Sequence, residues 1–265
     1  MSAPCESPRV HWLIQANHGA ALDVQAMADA LTADGQVPHL VQLARGEPIP
    51  DIPELPDQAP IVCHGPGFLT RAVGHPRFSK GLFFDDQAFR WSTFREHWGE
   101  AMLAPEGRLS SLAEAQAELQ KVEKAFVRPD EDSKVFDGGV FDAPGLLAKT
   151  RNLPSVTPVI VAAPRVIDAE WRFFIVDKEV VGCSEYRRWG EPSMDGYVPH
   201  RAIDLAADLI QHWGPAPVYC LDLAMEGDRI GVVEANCFNA ARFYGADAGA
   251  VLNAVSAFRL ANRGG

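Results

Sequence analysis

The chain has 265 residues and carries 24 Lys and Arg against 35 Asp and Glu, a formal net charge of −11. That length supports a substantial core in one or two domains, and the acidic balance argues against broad binding to nucleic acid or anionic membranes, which needs basic surface. Cys5, Cys63, Cys183, Cys220 and Cys237 are scattered without metal-site spacing and read as reduced thiols of a cytoplasmic protein; there is neither a run of roughly twenty apolar residues nor the pattern of a secretory signal.

Residues 10–15 are expected to form a strand, and residues 20–34 a helix with Leu22, Met27, Ala30 and Leu31 at apolar positions and Gly35 as its stop. A second strand at 37–43, a proline-rich surface connection at 48–60 and a third strand at 59–63 complete a βαβ-like opening that suits a small α/β layer. Gly65-Pro66-Gly67 lacks the Lys-Ser/Thr of a P-loop and the third glycine of a dinucleotide fingerprint, so it reads as a turn, and His64 and His75 beside it as solvated loop residues. Leu112, Ala115, Leu119 and Val122 lie at helical spacing behind Ser110 and Ser111, which predicts a capped helix over 109–122.

Residues 124–141 begin as a short strand and pass through an acidic turn to Gly138-Gly139, with Arg128 and Lys134 at either end of the turn. On the residues alone, Arg128 could equally form a surface ion pair with Asp130 or Asp132. An apolar strand follows at 157–164, then a hairpin over 168–188 with its tip near Asp177-Lys178. A helix at 201–213 presents Ile203, Ala206, Ala207 and Ile210 on one face, and a final helix spans about 247–259.

The most informative segment is 218–236. Two apolar runs flank the polar tip Glu226-Gly227-Asp228-Arg229, the pattern of paired strands, and folding symmetrically about Asp228 sets Asp222 opposite Glu234. Strand alternation points Glu234 and Asn236 the same way, so two carboxylates and an amide oxygen converge with the hard-oxygen chemistry that Mg²⁺ prefers. Unpaired acids among Val, Leu and Ile are costly, which makes a cation an economical explanation; a solvated acidic face is the alternative.

In this order (cations, an apolar strand, a Glu-x-Arg hairpin at Glu170 and Arg172, a helix, an Asp/Glu-x-Asn hairpin) the chain resembles the ATP-grasp superfamily, in particular its small clade marked by two arginines and a lysine. Residues 12–17 and 81–86 are similar to the preATP-grasp region of that clade. The resemblance implies an α/β protein, with a preATP-grasp-like domain over 1–105 and an ATP-grasp domain of two α+β lobes over 106–265 that hold ATP between them. It implies Asp222, Glu234 and Asn236 as Mg²⁺ ligands, Arg128 and Lys134 as phosphate contacts, and Val159, Ile160 and Val161 as the hinge whose backbone meets adenine. Glu170, Arg172 and Asp222 complete the nucleotide contacts. Arg172, Arg187 and Lys134 are the implied catalytic cations, with Arg188 able to replace Arg187 at an acyl phosphate.

The function so implied is an ATP- and Mg²⁺-dependent carboxylate–amine ligase acting on small-molecule or peptide substrates. Phosphoryl transfer to a carboxylate brings anions together, so positioning and charge neutralisation by Lys, Arg and Mg²⁺ carry it and no side-chain nucleophile is needed. Closure of the loop at Asp137-Gly138-Gly139 would keep water from the intermediate. A phosphotransferase acting on a small acceptor and a non-catalytic nucleotide-binding module remain alternatives, and a homodimer is left open. Eight dispersed histidines without an H-E-x-x-H pair argue against a zinc hydrolase, and Ser184 and Ser193 lack a nucleophile-elbow frame. Trp189, Arg242 and Tyr244 are further candidates for the substrate pocket, with Phe238 and Phe243 anchoring the last segment.

Overall fold

The computed structural model of the protein describes residues 8–18, 21–132, 135–194 and 196–262. Strands β1 (His11–Gln15), β2 (Val37–Val41) and β3 (Ile61–His64) form a parallel sheet in the order β2-β1-β3. β1 is buried almost throughout, with Trp12, Leu13 and Ile14 at its centre, as the central strand of a sheet covered on both faces must be. Helix α1 (Ala21–Ala33) makes the crossover and ends before Gly35, whose φ of 76° lets the chain reverse. The Gly65-Pro66 turn opens the six-residue helix α2 (Pro66–Arg71), and α3 (Trp91–Trp98) carries Trp91, Phe94 and Trp98 into the core.

A second sheet, antiparallel and ordered β4-β7-β5-β6, combines β4 (Arg108–Ser111), β5 (Ala125–Pro129), β6 (Gly139–Phe141) and β7 (Pro158–Ala162). Helices α4 (Leu112–Leu119) and α5 (Ala143–Thr150) belong to this unit, which has its own core of Leu112, Ala115, Leu119, Val127, Leu146, Val159 and Val161. The helix expected over 109–122 thus starts later. Residues 108–111 pair with β7, and the Ser111 side chain with Glu114 forms a capping box that fixes the first turn at Leu112.

The third sheet runs β10-β9-β8-β11-β12, from β8 (Ala169–Val176), β9 (Glu179–Arg188), β10 (Glu191–Pro192), β11 (Val218–Glu226) and β12 (Arg229–Cys237). The β8–β9 turn falls at Asp177-Lys178, both with positive φ, as a tight two-residue hairpin requires. Every residue of β8 is buried, because α6 (His200–His212) covers one face of the sheet and α7 (Ala248–Ala261) the other. On the α7 face Phe174, Val176, Val218 and Cys220 share a core with Trp12, Ile14 and Met27, which joins the first sheet to the third. The Trp12 indole is satisfied by Ser256 Oγ at 3.0 Å.

A single buried residue fastens this junction. Asn239 Oδ1 accepts from the Phe83 amide at 2.7 Å, its Nδ2 donates to the Cys63 and Gly81 carbonyls at 2.6 and 2.9 Å, and its own carbonyl accepts from the Gly65 amide. No helix among the described residues is long and apolar enough to cross a membrane. The described cysteines are free thiols.

Candidate functional site

The chemistry-bearing hairpin is β11–β12. Its tip is centred between Gly227 and Asp228, since Glu226 pairs with Arg229, and that register alone would set Asp222 opposite Val233. A bulge moves the pairing by one: Leu223 faces Val232, Asp222 faces Glu234, and Val233 is the extra residue. The expected Asp222–Glu234 pairing is present, produced by a bulge and not by symmetry about Asp228. Val233 itself is turned to the cleft between the second and third sheets.

Asp222 lies on β11 beside Arg172 of β8, its Cα partner in the sheet. Arg172 Nε and Nη2 donate to Asp222 Oδ1 and Oδ2 at 2.8 and 2.7 Å, a bidentate pair buried on both sides. Burial works against the Arg172 charge, and Asp222 more than offsets it, holding the guanidinium protonated well above its ordinary range. Burial likewise pushes the Asp222 carboxyl up, with Arg172 opposing. Tyr186 and Tyr244 stack with centroids 5.1 Å apart, and the Arg172 guanidinium lies over both rings.

Asn236 Nδ2 donates to Asp222 Oδ2 and to Glu234 Oε1, at 2.9 Å each. Sequence reasoning expected its oxygen to face this point; two adjacent carboxylates instead demand a donor between them, and the amide supplies its nitrogen. The donor set fits a hard divalent cation, since both carboxylates retain lone pairs and a half-turn of the amide presents an oxygen. Among the described residues no three His, Cys, Asp or Glu side chains cluster as metal ligands, so Asn236 is needed to complete such a set.

Arg128 on β5 reaches across from the second sheet, with Nη2 2.7 Å from Glu234 Oε2. It does not pair with Asp130, whose buried carboxylate caps α3 through the Ser92 amide and hydroxyl at 2.8 and 3.0 Å. Glu170, two residues before Arg172, accepts from Tyr186 Oη at 2.7 Å and Arg187 Nη1 at 3.0 Å. Burial, then the Asp222 and Glu170 charges, push the Tyr186 phenol well above its ordinary value, so it remains a neutral donor. Arg187 faces the cleft. Arg188 turns instead to the buried Glu185, which also accepts from Ser193 at 2.6 Å. Lys134 lies outside the described residues.

Together these side chains shape a cleft with two arms that share Phe126, Arg128, Gly138, Glu170, Arg187 and Val233. One arm, of about 360 Å³, is charged and holds Arg172, Asp222, Glu234 and Tyr244. The other, of about 310 Å³, is more apolar and is walled by Trp91, Leu103, Ala162, Ala163, Ile167 and Val232. Val159, Ile160 and Val161 do not form the expected hinge. They are the middle of β7, which has β4 on one side and β5 on the other, so their backbone is committed to two ladders. The segment just beyond, from Ala162 to Ile167, faces the apolar arm and links the second sheet to the third. Within it Arg165, which no motif or spacing singles out, pairs with Glu106 at 2.8 Å and Glu226 at 2.5 Å, clamping the approach to β4 against the end of β11.

The sequence profile of the ATP-grasp domain, in family 3 of the clade named for two arginines and a lysine, matches residues 44–255. The chain therefore belongs to that clade of the ATP-grasp superfamily. Solved structures share its fold. An ATP-grasp RimK domain protein from Sphaerobacter thermophilus superposes with a TM-score of 0.63 at 16% identity, covering 93% of this chain and 99% of its own. The ATP-grasp ligase PsnB, solved with a variant of its minimal precursor, Mg and ADP, gives 0.59 at 14%, covering 98% and 100%. The D-alanine–D-alanine ligase of Bacillus anthracis gives 0.57 at 12%, covering 97% and 99%. No protein of curated function matches the sequence.

Proposed function

We propose that this protein is an ATP- and Mg²⁺-dependent carboxylate–amine ligase that works through an acyl phosphate. The observation that carries this reading is the two-armed cleft, in which an apolar arm of adenine-like size opens onto an arm where Arg128, Arg172 and Arg187 stand among Asp222, Glu234 and Glu170. Its fold neighbours include proteins named as ligases, among them one complexed with Mg and ADP. On this reading residues 1–105 build the acceptor side and lend Trp91, Leu103 and Ala104 to the apolar arm, and residues 106–265 supply the rest of the nucleotide side.

Adenine enters against Trp91, Ala163 and Val232, and the hinge backbone at 163–167 supplies its polar contacts. Asp222, Glu234 and Asn236 would hold Mg²⁺, which neutralises phosphate charge when bound. Arg128 binds phosphate oxygens from the second sheet, with Lys134, outside the described residues, as the second cation assigned to phosphate. A substrate carboxylate oxygen then attacks the γ-phosphorus, the bond to the bridging oxygen breaks, and ADP leaves. Arg187 stabilises the resulting acyl phosphate, while Glu170 and Tyr186 hold its guanidinium in place. An amine attacks the acyl carbon, phosphate departs, and the nitrogen loses a proton to give the amide. Arg172 acts by fixing Asp222 and by presenting the two tyrosines to the substrate.

The test is the melting temperature with and without ATP, with Mg²⁺ present or chelated, for wild type and for Glu234→Gln. A ligand at 100 times its Kd stabilises the folded state by about 2.7 kcal/mol. A Mg²⁺-dependent rise that Glu234→Gln weakens is expected; no rise at saturating Mg-ATP, together with no heat of binding, would sink the reading.

A further inference from the structure

A third cavity, of about 370 Å³, lies where the carboxyl ends of β1 and β3 meet α1 and the segment after β12. It touches the charged arm through Tyr244, which lines both. Whatever occupies it is therefore one side chain away from the place where phosphate would be transferred. Its size suits a small molecule and excludes a folded partner.

The wall chemistry restricts that molecule. The buried lining residues Ile14, Gln15, Met27 and Ala241 carry no charge, whereas the charged ones, Asp23 and Arg242, are exposed at its edges. Gln15 is already committed, with Oε1 accepting the Gly67 amide at 2.7 Å. Among the described lining residues His64 is a further polar group, at the end of β3 and packed against Phe238 and Phe243. It is not the solvated loop residue that the sequence suggested: burial lowers its pKa to about 4, so it is a neutral imidazole at physiological pH. Its Nε2 is buried without a hydrogen-bond partner. The uncharged buried residues of the described wall disfavour a buried ion, because desolvating a charge without a counter-charge is costly, and favour an apolar body.

We infer that this cavity receives the body of the carboxylate substrate, an acid whose far end is apolar or uncharged, with its carboxylate directed past Tyr244 into the charged arm. This rests on the ligase reading above and adds the substrate class to it: monocarboxylates with a hydrocarbon or aromatic body. Acids charged at both ends are excluded.

Hydroxylamine reports the step directly, since it displaces phosphate from an acyl phosphate and leaves a hydroxamate that gives a coloured complex with added ferric ion. The full chain with Mg-ATP is offered acetate, hexanoate, phenylpropionate and adipate. Hexanoate and phenylpropionate are expected to exceed acetate in kcat/KM by at least about tenfold, a conservative figure for several buried methylenes, and adipate to fall at least about tenfold below hexanoate for want of a counter-charge. Met27→Trp, and Ala26→Phe at an exposed position that leaves folding untouched, fill the cavity from α1. Each should raise KM for hexanoate by a larger factor than KM for acetate while leaving the Mg-ATP-dependent melting shift as in wild type. Preferred use of adipate, unchanged hexanoate KM in both variants, or no hydroxamate from any acid despite stabilisation by Mg-ATP would overturn the substrate class alone. Absence of stabilisation by Mg-ATP would overturn the ligase reading and this inference with it.

Discussion

Charges in the cleft are held in two different ways, and the difference sets what each substitution does. Arg172 and Asp222 are buried and fully engaged with one another, so removing either leaves an uncompensated charge inside the sheet. Asp222→Ala is expected to cost about 3–5 kcal/mol in urea unfolding. Arg128 and Glu234 are partly exposed, with side-chain exposures of 13% and 19%, and Glu234→Gln should cost no more than about 1 kcal/mol while removing the Mg²⁺ dependence of ATP binding. Equal losses from the two substitutions would show that the distinction is wrong. His64 gives a second residue-scale expectation. Its pKa falls from 6.5 in the unfolded chain to about 4 in the folded one, so below 6.5 the unfolded state binds the extra proton. Its contribution to stability is thus fully present above pH 6.5 and is progressively lost as the pH falls towards 4. Burial lowers His11 and His39 as well, so the loss has the same sign at all three. Between about pH 6.5 and 5, above the ordinary carboxylate range, His64→Gln should flatten the decline in melting temperature; an unchanged slope would mean that His64 is already protonated in the fold.

At the scale of elements, what joins the first sheet to the third is apolar packing around Trp12 and Phe238 together with the hydrogen bonds of Asn239. Asn239→Ala strips a donor or an acceptor from Phe83, Cys63 and Gly81 inside the core, and is expected to cost on the order of 3 kcal/mol or more. Calorimetry should show a lower melting temperature, and exchange protection at β1 and β3 should fall more than in the second sheet. Equal loss everywhere would mean that the junction is not where the fold is held. Both long hairpins were legible in the sequence because alternation and a polar tip act locally, and Ser110 and Ser111 marked a nearby helix start in the same way, although Glu114, which completes the box with Ser111, was not singled out. The bulge at Val233 was not legible, since one extra residue in a strand of valines leaves no local trace. Nor was the role of β7: an apolar run announces a strand, but which of its edges is already paired depends on β4 and β5, far away in the chain. Arg165 was missed for a related reason, because its partners Glu106 and Glu226 come from separate parts of the sequence, and His64 looked like a loop residue because Phe238 and Phe243 arrive from the far end of the chain.

For the molecule as a whole, the decisive property is that the second sheet with α4 and α5 has its own core, while Ile160 of β7 packs into the core of the third sheet. It is tied to the body by directional contacts: Asp130 to Ser92 and the Trp91 amide, Arg165 to Glu106 and Glu226, and Arg128 to Glu234 across the cleft. The first two lie at the ends of the unit and suit a pivot, while the third spans the mouth and suits a latch. On the proposed reading the latch joins the cation assigned to phosphate and a carboxylate assigned to Mg²⁺, so Mg-ATP would bind by exchanging it for contacts to the nucleotide. Because its ion pair is partly exposed, salt weakens it. In the nucleotide-free protein, raising salt from low to roughly 0.5 M should therefore speed hydrogen exchange of the amides around the mouth in β5 and β6 and enlarge the radius of gyration, without exposing the core of either unit. Glu234→Gln should already show the faster exchange at low salt and respond little to more. Mg-ATP should restore protection in the wild type by replacing the latch with phosphate and metal contacts that bind both sheets at once. If exchange in β5 and β6 is the same in wild type and Glu234→Gln at every salt concentration, the ion pair is incidental, and closure must depend on the pivot alone.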